Sequence, residues 1–503
     1  MANVLDNAIG YFSPSTGKQR LLDRAAFDAL RQRGYEAAQR GKQRKYSRSK
    51  GDGDAAAAPA LISLREQARA LDENYDIAAG VLDELVNKTI GAGLRVEPQV
   101  KTQDGQLAEA FNKALLKLHD DWIKQPEVTA ELHFYACQRL LARTWFRDGE
   151  VFAQHVAGNV ASLAHGTKVP YSLELLEPDL VPSDMDDDAR GIYHGVRKNA
   201  WNRPTAYYVY KRHPGSRFAL FKDATQVKEV SADQMIHLKL VKRLNQTRGI
   251  TVFAPVLKRF DDVKDYEESE RIAARVAAAM CAYIKKNDGV ATSAPRLGDD
   301  NEHRYLEFQP GLVFDDLLPG EEVGTIDTKR PNAQLENFRN GQLRAVAAGT
   351  GTPFSSISKN YNGTYSAQRQ EMVEHYMHYS VLRDHFVQHV LRPVWQRFVD
   401  MAALAGLLPA GAEAIDRDTL YNADFRGAGM PWIDPQKEAN AAVTLYQARL
   451  KSRSQIIRDR GDNPMEVRDQ IAQEIKDDEA AGLPPMFSDN EKGDETDDEE
   501  NED

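Results

Sequence analysis

PVLKRFDDVKDYEESERIAARVAAAMCAYIKKN, residues 255–287, holds no glycine and no proline after its first position, and its reading decides how the rest of the chain is arranged. Pro255 is tolerated in a first helical turn, where its missing N–H is not needed. The spacing predicts one helix of about 50 Å at 1.5 Å per residue. Its first half, KRFDDVKDYEESER, is charged almost all round. Its second half, IAARVAAAMCAYI, carries small side chains suited to close helix–helix approach. A helix polar round most of its circumference does not hold itself in place. It needs neighbours, and copies of itself in an oligomer would supply them.

Downstream, residues 287–331 are turn-rich, with strand-like YLEFQPGLVF and EVGTI, and NAQLENFRNGQLRAVAAGTG then returns to helix. A small β module therefore lies between two helices, as at the tip of a helical hairpin. TPFSSISKNYNGTYSAQRQ (352–370) follows, a polar connection longer than most loops. A third helix starts at Thr364 or Ser366, either of which can cap it. Met372, Tyr376, Tyr379, Phe386, Val390 and Val394 form its apolar stripe, and Pro393 is expected to kink or end it. Three more helical stretches, PQKEANAAVTLYQARL, SRSQIIRDRG and PMEVRDQIAQEIKDDEAAGL, complete the C-terminal part.

Upstream, from 149 to 240, EVFAQHV, YSLELLEPDLV, GIYHGVRKN, TAYYVYKR, RFALFKD and MIHLKLV read as short strands separated by Gly, Pro and Asp turns. This antiparallel unit within a helical chain makes the class α+β. Before it stand LAEAFNKALLKLHDDWIKQ, FYACQRLLARTWFRDG and one longer helical pattern from Leu64 to Ile90, closed by Gly91 and Gly93 ahead of LRVEP. GDGDAAAAPA, 51–60, reads as a linker.

The net charge of −11 sits unevenly. The first fifty residues carry +7, a basic arm open to nucleic acid, an acidic partner or plain solvent. The last fifteen carry −9, a solvated tail. Two cysteines, Cys137 and Cys281, build no disulfide framework and suit a reducing cytoplasm. The opening MANVLDNAIGYFSP lacks the order of a signal peptide, and no run is long and apolar enough for a membrane span.

Catalytic signatures are missing: there is no GxxxxGK[ST], GxSxG or HExxH, and GTGTPF at 349–354 lacks the third glycine of GxGxxG. His375, His378, His385 and His389 share the third helix, the last three within about 40° of one another at helical pitch. His385 and His389 at i, i+4 have the spacing of a metal pair, but no third ligand accompanies them, and a polar helix face is the simpler reading. Asp186, Asp187 and Asp188 read as solvated turn carboxylates. No catalytic residue, metal or cofactor is expected.

The ordered set of segments resembles the portal proteins of tailed bacteriophages, the lambda-type branch in particular. ARALDENYDIAAGVLDELVNKTIGAGLRVEP resembles that family's N-terminal helix with its closing G-x-G. SLELLEPDLV and QMIHLKLVKRLNQTRGITVFAPVLKRFDDVKDYEESERIAARVAAA resemble its β-to-helix junction, LRAVAAGTGTPFSSISKNYNGTYSAQRQEMVEHY its AAG-x-G segment, and WIDPQKEANAA its Asp-Pro-x-Lys-Glu motif. Glu73–Asn74 departs from the family's Arg-Asn, and Gly-Thr-Tyr-Ser-Ala stands where Asn-Tyr-Ser-Ser is usual.

The resemblance implies a portal-type subunit in a ring of about twelve copies at one capsid vertex. Double-stranded DNA would be packaged through it by terminase and later ejected. It implies a basic arm and linker (1–60), a wing of helices and antiparallel β (61–250), a stem helix (251–287) and a clip (288–331). A second stem helix (332–350), a tunnel loop (351–366), a long helix returning to the wing (367–429), a helical crown (430–480) and an acidic tail (481–503) would follow. The tunnel loop would face DNA through Ser355, Ser356, Ser358, Lys359, Asn360, Tyr361, Asn362, Gly363 and Thr364, with Arg369 beside it. The clip would meet the terminase large subunit and head-completion or adaptor proteins through Arg296, Asp299, Asp300, Glu302, His303, Arg304, Glu321 and Glu322. Further implied partners are the major capsid protein and scaffold, with DNA held weakly and non-specifically and no membrane. The implied location is the virion, after assembly in the host bacterial cytoplasm. A mildly acidic body suits a conduit, since tight DNA binding demands many phosphate-neutralising cations. Two other classes remain open on the residues: a metal-dependent nuclease using the His375–His389 helix, and another capsid or scaffolding component.

Overall fold

The computed structural model describes residues 51–161, 163–216, 227–278, 282–286, 321–325, 335–427, 429 and 435–483. The basic arm, the strand expected at RFALFKD, that at YLEFQPGLVF and the acidic tail lie outside the described residues. Residues 1–52 and 53–503 are separate units, and every element below belongs to the second.

Gly53–Ala57 is a short helix, α1, where a linker was expected. Asp54 accounts for the difference. Its carboxylate accepts from the Thr247 N–H at 2.6 Å and from the Thr247 hydroxyl, and it lies 3.6 Å from Lys198 Nζ. The run from Leu61 is two helices, α2 (Leu61–Asn74) and α3 (Asp76–Thr89), not one. Tyr75 parts them with an extended backbone (φ −135°, ψ 110°). Its ring is buried with its edge to Phe260 at 5.9 Å, so packing overrides helical periodicity.

β1 (Arg95–Pro98), α4 (Glu109–Trp122) and α5 (Phe134–Asp148) come next. The strands are β2 (Glu150–Ala157), β3 (Tyr171–Leu176), β4 (Ile192–Tyr193), β5 (Val196–Lys198), β6 (Pro204–Tyr210), β7 (Val227–Ser231) and β8 (Met235–Lys239). β2 lies between β3 and β8 in one antiparallel sheet, and β4 to β7 form a second in chain order. Phe152, Leu176, Val196, Tyr207 and Val209 make a small core of their own. The larger core surrounds Trp122, Trp145, Phe146 and Phe398.

α6 (Leu257–Ala278) is shorter than the helix expected over 255–287, about 33 Å at 1.5 Å per residue. Ala282–Lys286, with Tyr283 and Ile284, pairs as β9 with β10 (Glu321–Thr325), and strand pairing takes those residues from the helix. α7 (Leu335–Thr350) runs back antiparallel to α6, with Arg259 Nη1 donating to Gln342 Oε1 at 2.8 Å and the Tyr266 and Phe338 rings 4.7 Å apart. α8 (Phe354–Ser358) lies inside the expected loop. α9 (Tyr365–Phe386) passes through a π-helical turn, Val387–Leu391, into α10 (Arg392–Leu404). Pro393 thus neither ends the helix nor stands in a regular interior, because the wider turn precedes it.

β11 (Ala423–Arg426) pairs with β1, Arg95 opposite Arg426. Helices α11 (Pro435–Gln447), α12 (Arg453–Asp459) and α13 (Pro464–Ala481) close the described chain. α13 lies along α4 through a two-pronged Arg468–Glu109 pair at 3.1 Å and Lys113–Asp469 at 3.0 Å.

Candidate functional site

The polar loop is rooted where α7 ends. Gly349 sits so close to the start of α6 that an added Cβ would lie 2.4 Å from Val256 Cγ1. Gly351 closes the helix in the left-handed region (φ 71°), and a Cβ there would meet the His378 ring at 2.5 Å. His375 Nδ1–H donates to the Gly351 carbonyl at 3.1 Å, and the Thr350 and Thr352 hydroxyls bond to each other at 2.7 Å. Both glycines of AAGTG are therefore packing requirements.

From that root α8 points Phe354 and Ile357 onto the main core, and the Arg344 guanidinium covers the Phe354 ring at 5.1 Å. Ser355, Ser356 and Ser358 are half-buried. Ser355 N–H donates weakly to Glu371 Oε1 at 3.4 Å, and the Ser358 hydroxyl donates back to the Phe354 carbonyl at 2.8 Å. Lys359 ends α8 in the left-handed region (φ 53°). Asn360 accepts from Asn362 N–H at 3.0 Å, and the Gln368 amide donates to the Tyr361 carbonyl. Thr364 caps α9 by accepting from Ala367 N–H at 3.3 Å, while Ser366 does not cap it. Lys359, Tyr361, Asn362, Gly363 and Thr364 are exposed. The expected loop residues thus divide into a packed half, 354–358, and a tip, 359–364, that is exposed except at half-buried Asn360. Arg369 stands on α9 with its guanidinium 3.6 Å from Glu438.

Of the candidates in 288–331, Glu321 and Glu322 open β10 opposite Lys286 and Lys285. Arg296, Asp299, Asp300, Glu302, His303 and Arg304 lie outside the described residues.

The four histidines of α9 and the π-helical turn after it fall in two pairs, and the expected i, i+4 pair is brought together, the His385 and His389 rings lying 4.1 Å apart, without a third ligand beside them among the described residues. His375 and His378 serve Gly351. The His385 ring stacks on Trp145 at 5.5 Å, and His389 Nδ1–H donates to the His385 carbonyl at 2.9 Å. Burial lowers the His385 and His378 rings below the ordinary range. The three aspartates are turn-builders: Asp186 accepts from His194 N–H, Asp187 from Arg190 N–H and Asp188 from the Tyr193 hydroxyl. Among the described residues the one carboxylate–imidazole group with metal-like spacing is Glu177, Asp179 and His213. Its Asp179 is held by Arg65 and by Arg69, at 2.5 Å, which marks an ion-pair cluster.

Sequence reasoning missed the buried hub beneath the root of α6. Glu150 is fully buried and accepts from Arg248 Nε at 2.8 Å, Arg65 Nη2 at 3.0 Å, His237 Nε2 at 3.1 Å and Gly249 N–H at 2.9 Å. Arg248 spends its other donors on the carbonyls of Val181, His194 and Pro178. Burial alone would raise the Glu150 carboxyl, but Arg248 and His237 hold it well below the usual carboxylate range. The Q-T-R-G run was its only trace in the sequence. Gly149 (φ 89°) and Gly249 lie back to back, a Cβ on Gly249 falling 2.0 Å from the Gly149 carbonyl oxygen.

Residues 39–383 match the family described as "Phage portal protein, lambda family". The chain is 24% identical over 437 residues to "Probable portal protein" of Halomonas phage phiHAP-1, covering 84% of this chain and 82% of that protein. It is 22% identical over 364 residues to "Portal protein B" of Escherichia phage lambda, covering 67% and 68%. A solved chain from "Neck of native GTA particle computed with C12 symmetry" overlays at TM-score 0.41 and 13% identity, covering 86% of this chain and 99% of that one.

Proposed function

The chain belongs to the lambda family of phage portal proteins, a structural family rather than an enzymatic one, and from that premise we propose that about twelve copies close into a ring at one capsid vertex. DNA enters through its channel during packaging by terminase and leaves through it on ejection. In this reading 61–250 is the wing, α6 and α7 are the stem, the β9–β10 module with 288–331 is the clip, and α11 to α13 belong to the crown. The tip 359–364 faces the channel.

One observation carries this reading. α6 and α7 form an antiparallel pair rooted at Leu257, Phe260 and Val263, which are buried, yet Ile272 is 52% exposed and Phe338 42% exposed further along. Two helices with no fully buried apolar side chain among the described residues of that stretch require neighbours, and in a ring the neighbours are the same helices of adjacent copies. The loop between α7 and α9 is anchored at both ends, by Gly351 with His375 and by the Thr364 cap, so its tip is presented at a defined place. Hydroxyl and amide groups there offer DNA hydrogen bonds without strong charge, as a sliding contact requires. The clip is the segment that meets the terminase large subunit and head-completion proteins. The wing meets the major capsid protein and scaffold.

Negative-stain imaging with native mass spectrometry of the purified chain tests the ring. Closed rings of one stoichiometry are expected; monomers and dimers alone at micromolar concentration would overturn the proposal.

A further inference from the structure

Beside the loop lies a cavity of about 310 Å³ between α3, α8 and α9. Its walls carry the carboxylates of Glu84 and Glu371 and the rings of Tyr376 and Tyr379. Tyr379 is only 3% exposed, yet its hydroxyl has no hydrogen-bond partner, and neither has the buried oxygen Glu84 Oε1. Buried polar groups left unpaired are costly, and two of them on one cavity mark a place where a polar occupant belongs. Burial, then Glu84 and Glu371, raise the Tyr379 hydroxyl, so it keeps its proton.

The chemistry of the walls selects the occupant. Carboxylates beside aromatic rings and a phenolic oxygen suit an alkylammonium, which gains charge-assisted hydrogen bonds and ring contact together. Of the cations already at the cavity, Arg369 is drawn to Glu438, and Lys88 is exposed one helical turn from Glu84. Lys359 is the cation of the neighbouring loop tip. It is exposed, makes no ion pair among the described residues, and lies outside its own copy's cavity although Tyr361, two residues on, lines it. A head-to-tail ring brings one surface of each copy against a different surface of the next.

We propose that the cavity under the loop is an ammonium site that receives Lys359 of the adjacent copy. The inference rests on the ring reading above and changes the role of this residue. Lys359 ties neighbouring loops together instead of forming a cationic belt toward DNA, which leaves the hydroxyl and amide groups of the tip as the DNA-facing surface.

Amine acetylation, kept to less than one modification per subunit and read by mass spectrometry, tests the site in the wild-type chain. In intact, DNA-free rings Lys359 should react about tenfold more slowly than exposed Lys117, the protection expected of a partly buried charge pair. In Glu84→Gln or Glu371→Gln rings it should react as quickly as Lys117. Rings of normal appearance in which wild-type Lys359 reacts freely overturn the proposal while leaving the ring reading intact. Free Lys359 with a protected Lys88 identifies an intrachain Glu84–Lys88 pair and overturns it equally. Absence of rings ends both readings. A charge exchange, Lys359→Glu with Glu84→Lys, should restore the salt resistance of the ring that Lys359→Glu alone removes; no recovery counts against the contact.

Discussion

Glu150 and Arg248 bind each other where neither has water to fall back on. Removing one partner from such a pair leaves a buried charge uncompensated, at a cost of about 3–5 kcal/mol. Glu150→Gln should therefore lower the chain's stability by roughly that amount in denaturant titration. Glu150→Leu with Arg248→Met should not recover it, because buried Arg65, His237 and the Gly249 N–H lose their acceptor and the carbonyls of Val181, His194 and Pro178 lose their donor. His119 tests the same physics through pH. It is packed among Trp122, Phe134, Trp395 and Phe398, and burial pushes its ring down to about 3. The unfolded chain takes up that proton near the ordinary histidine value of about 6.5, so below it the unfolded state binds more protons and stability falls as the pH is lowered. The contribution is complete above about 6.5 and is lost progressively toward 3. His119→Gln should remove about 2 kcal/mol of the stability difference between pH 7 and pH 5. His237 and His155, pushed to about 4 by burial, titrate with the same sign and keep the remaining slope positive.

At the scale of elements, two glycines of α7 make opposite predictions. Gly341 has nothing within 4 Å of an added Cβ, whereas Gly349 has Val256 Cγ1 at 2.4 Å. Gly341→Ala should stabilise the helix by up to about 1 kcal/mol. Gly349→Ala should destabilise by about 1–3 kcal/mol, since the α6–α7 root must open to admit the methyl group. Thermal melts of the two variants should shift in opposite directions. α9 was legible in the sequence because its apolar positions recur at helical spacing and Thr364 could cap it, and the structure adds an Asn463 cap to α13. The break at Tyr75, the strand Ala282–Lys286 and the helix Phe354–Ser358 were not legible. Each depends on a contact far along the chain: Phe260 for the first, β10 for the second, the main core for the third.

For the whole molecule, the division of the loop sets how its function is to be tested. A deletion over 354–365 would tear Phe354 and Ile357 from the core and confuse folding with transport. Deleting 360–363 alone removes only the tip. Its expected result is rings of normal appearance and subunit number by native mass spectrometry, with impaired DNA packaging or retention in particles. Loss of rings from that deletion would place the tip in assembly instead. Pull-down of the terminase large subunit by the wild-type chain, lost when 288–320 is replaced by a short linker, is the matching outcome for the clip.

By itself the sequence determined the α+β class, the long helices on either side of the antiparallel strands and, through its ordered motifs, the portal family. Those properties are written in local periodicity, capping and turn chemistry, which act between residues a few positions apart. Only the tertiary structure decided that Asp54 docks a supposed linker, that β1 finds β11 some 330 residues later, and that Glu150 gathers Arg65, His237 and Arg248. Such pairings depend on burial, which removes competing water and makes a single partner decisive, and burial exists only once distant segments have come together.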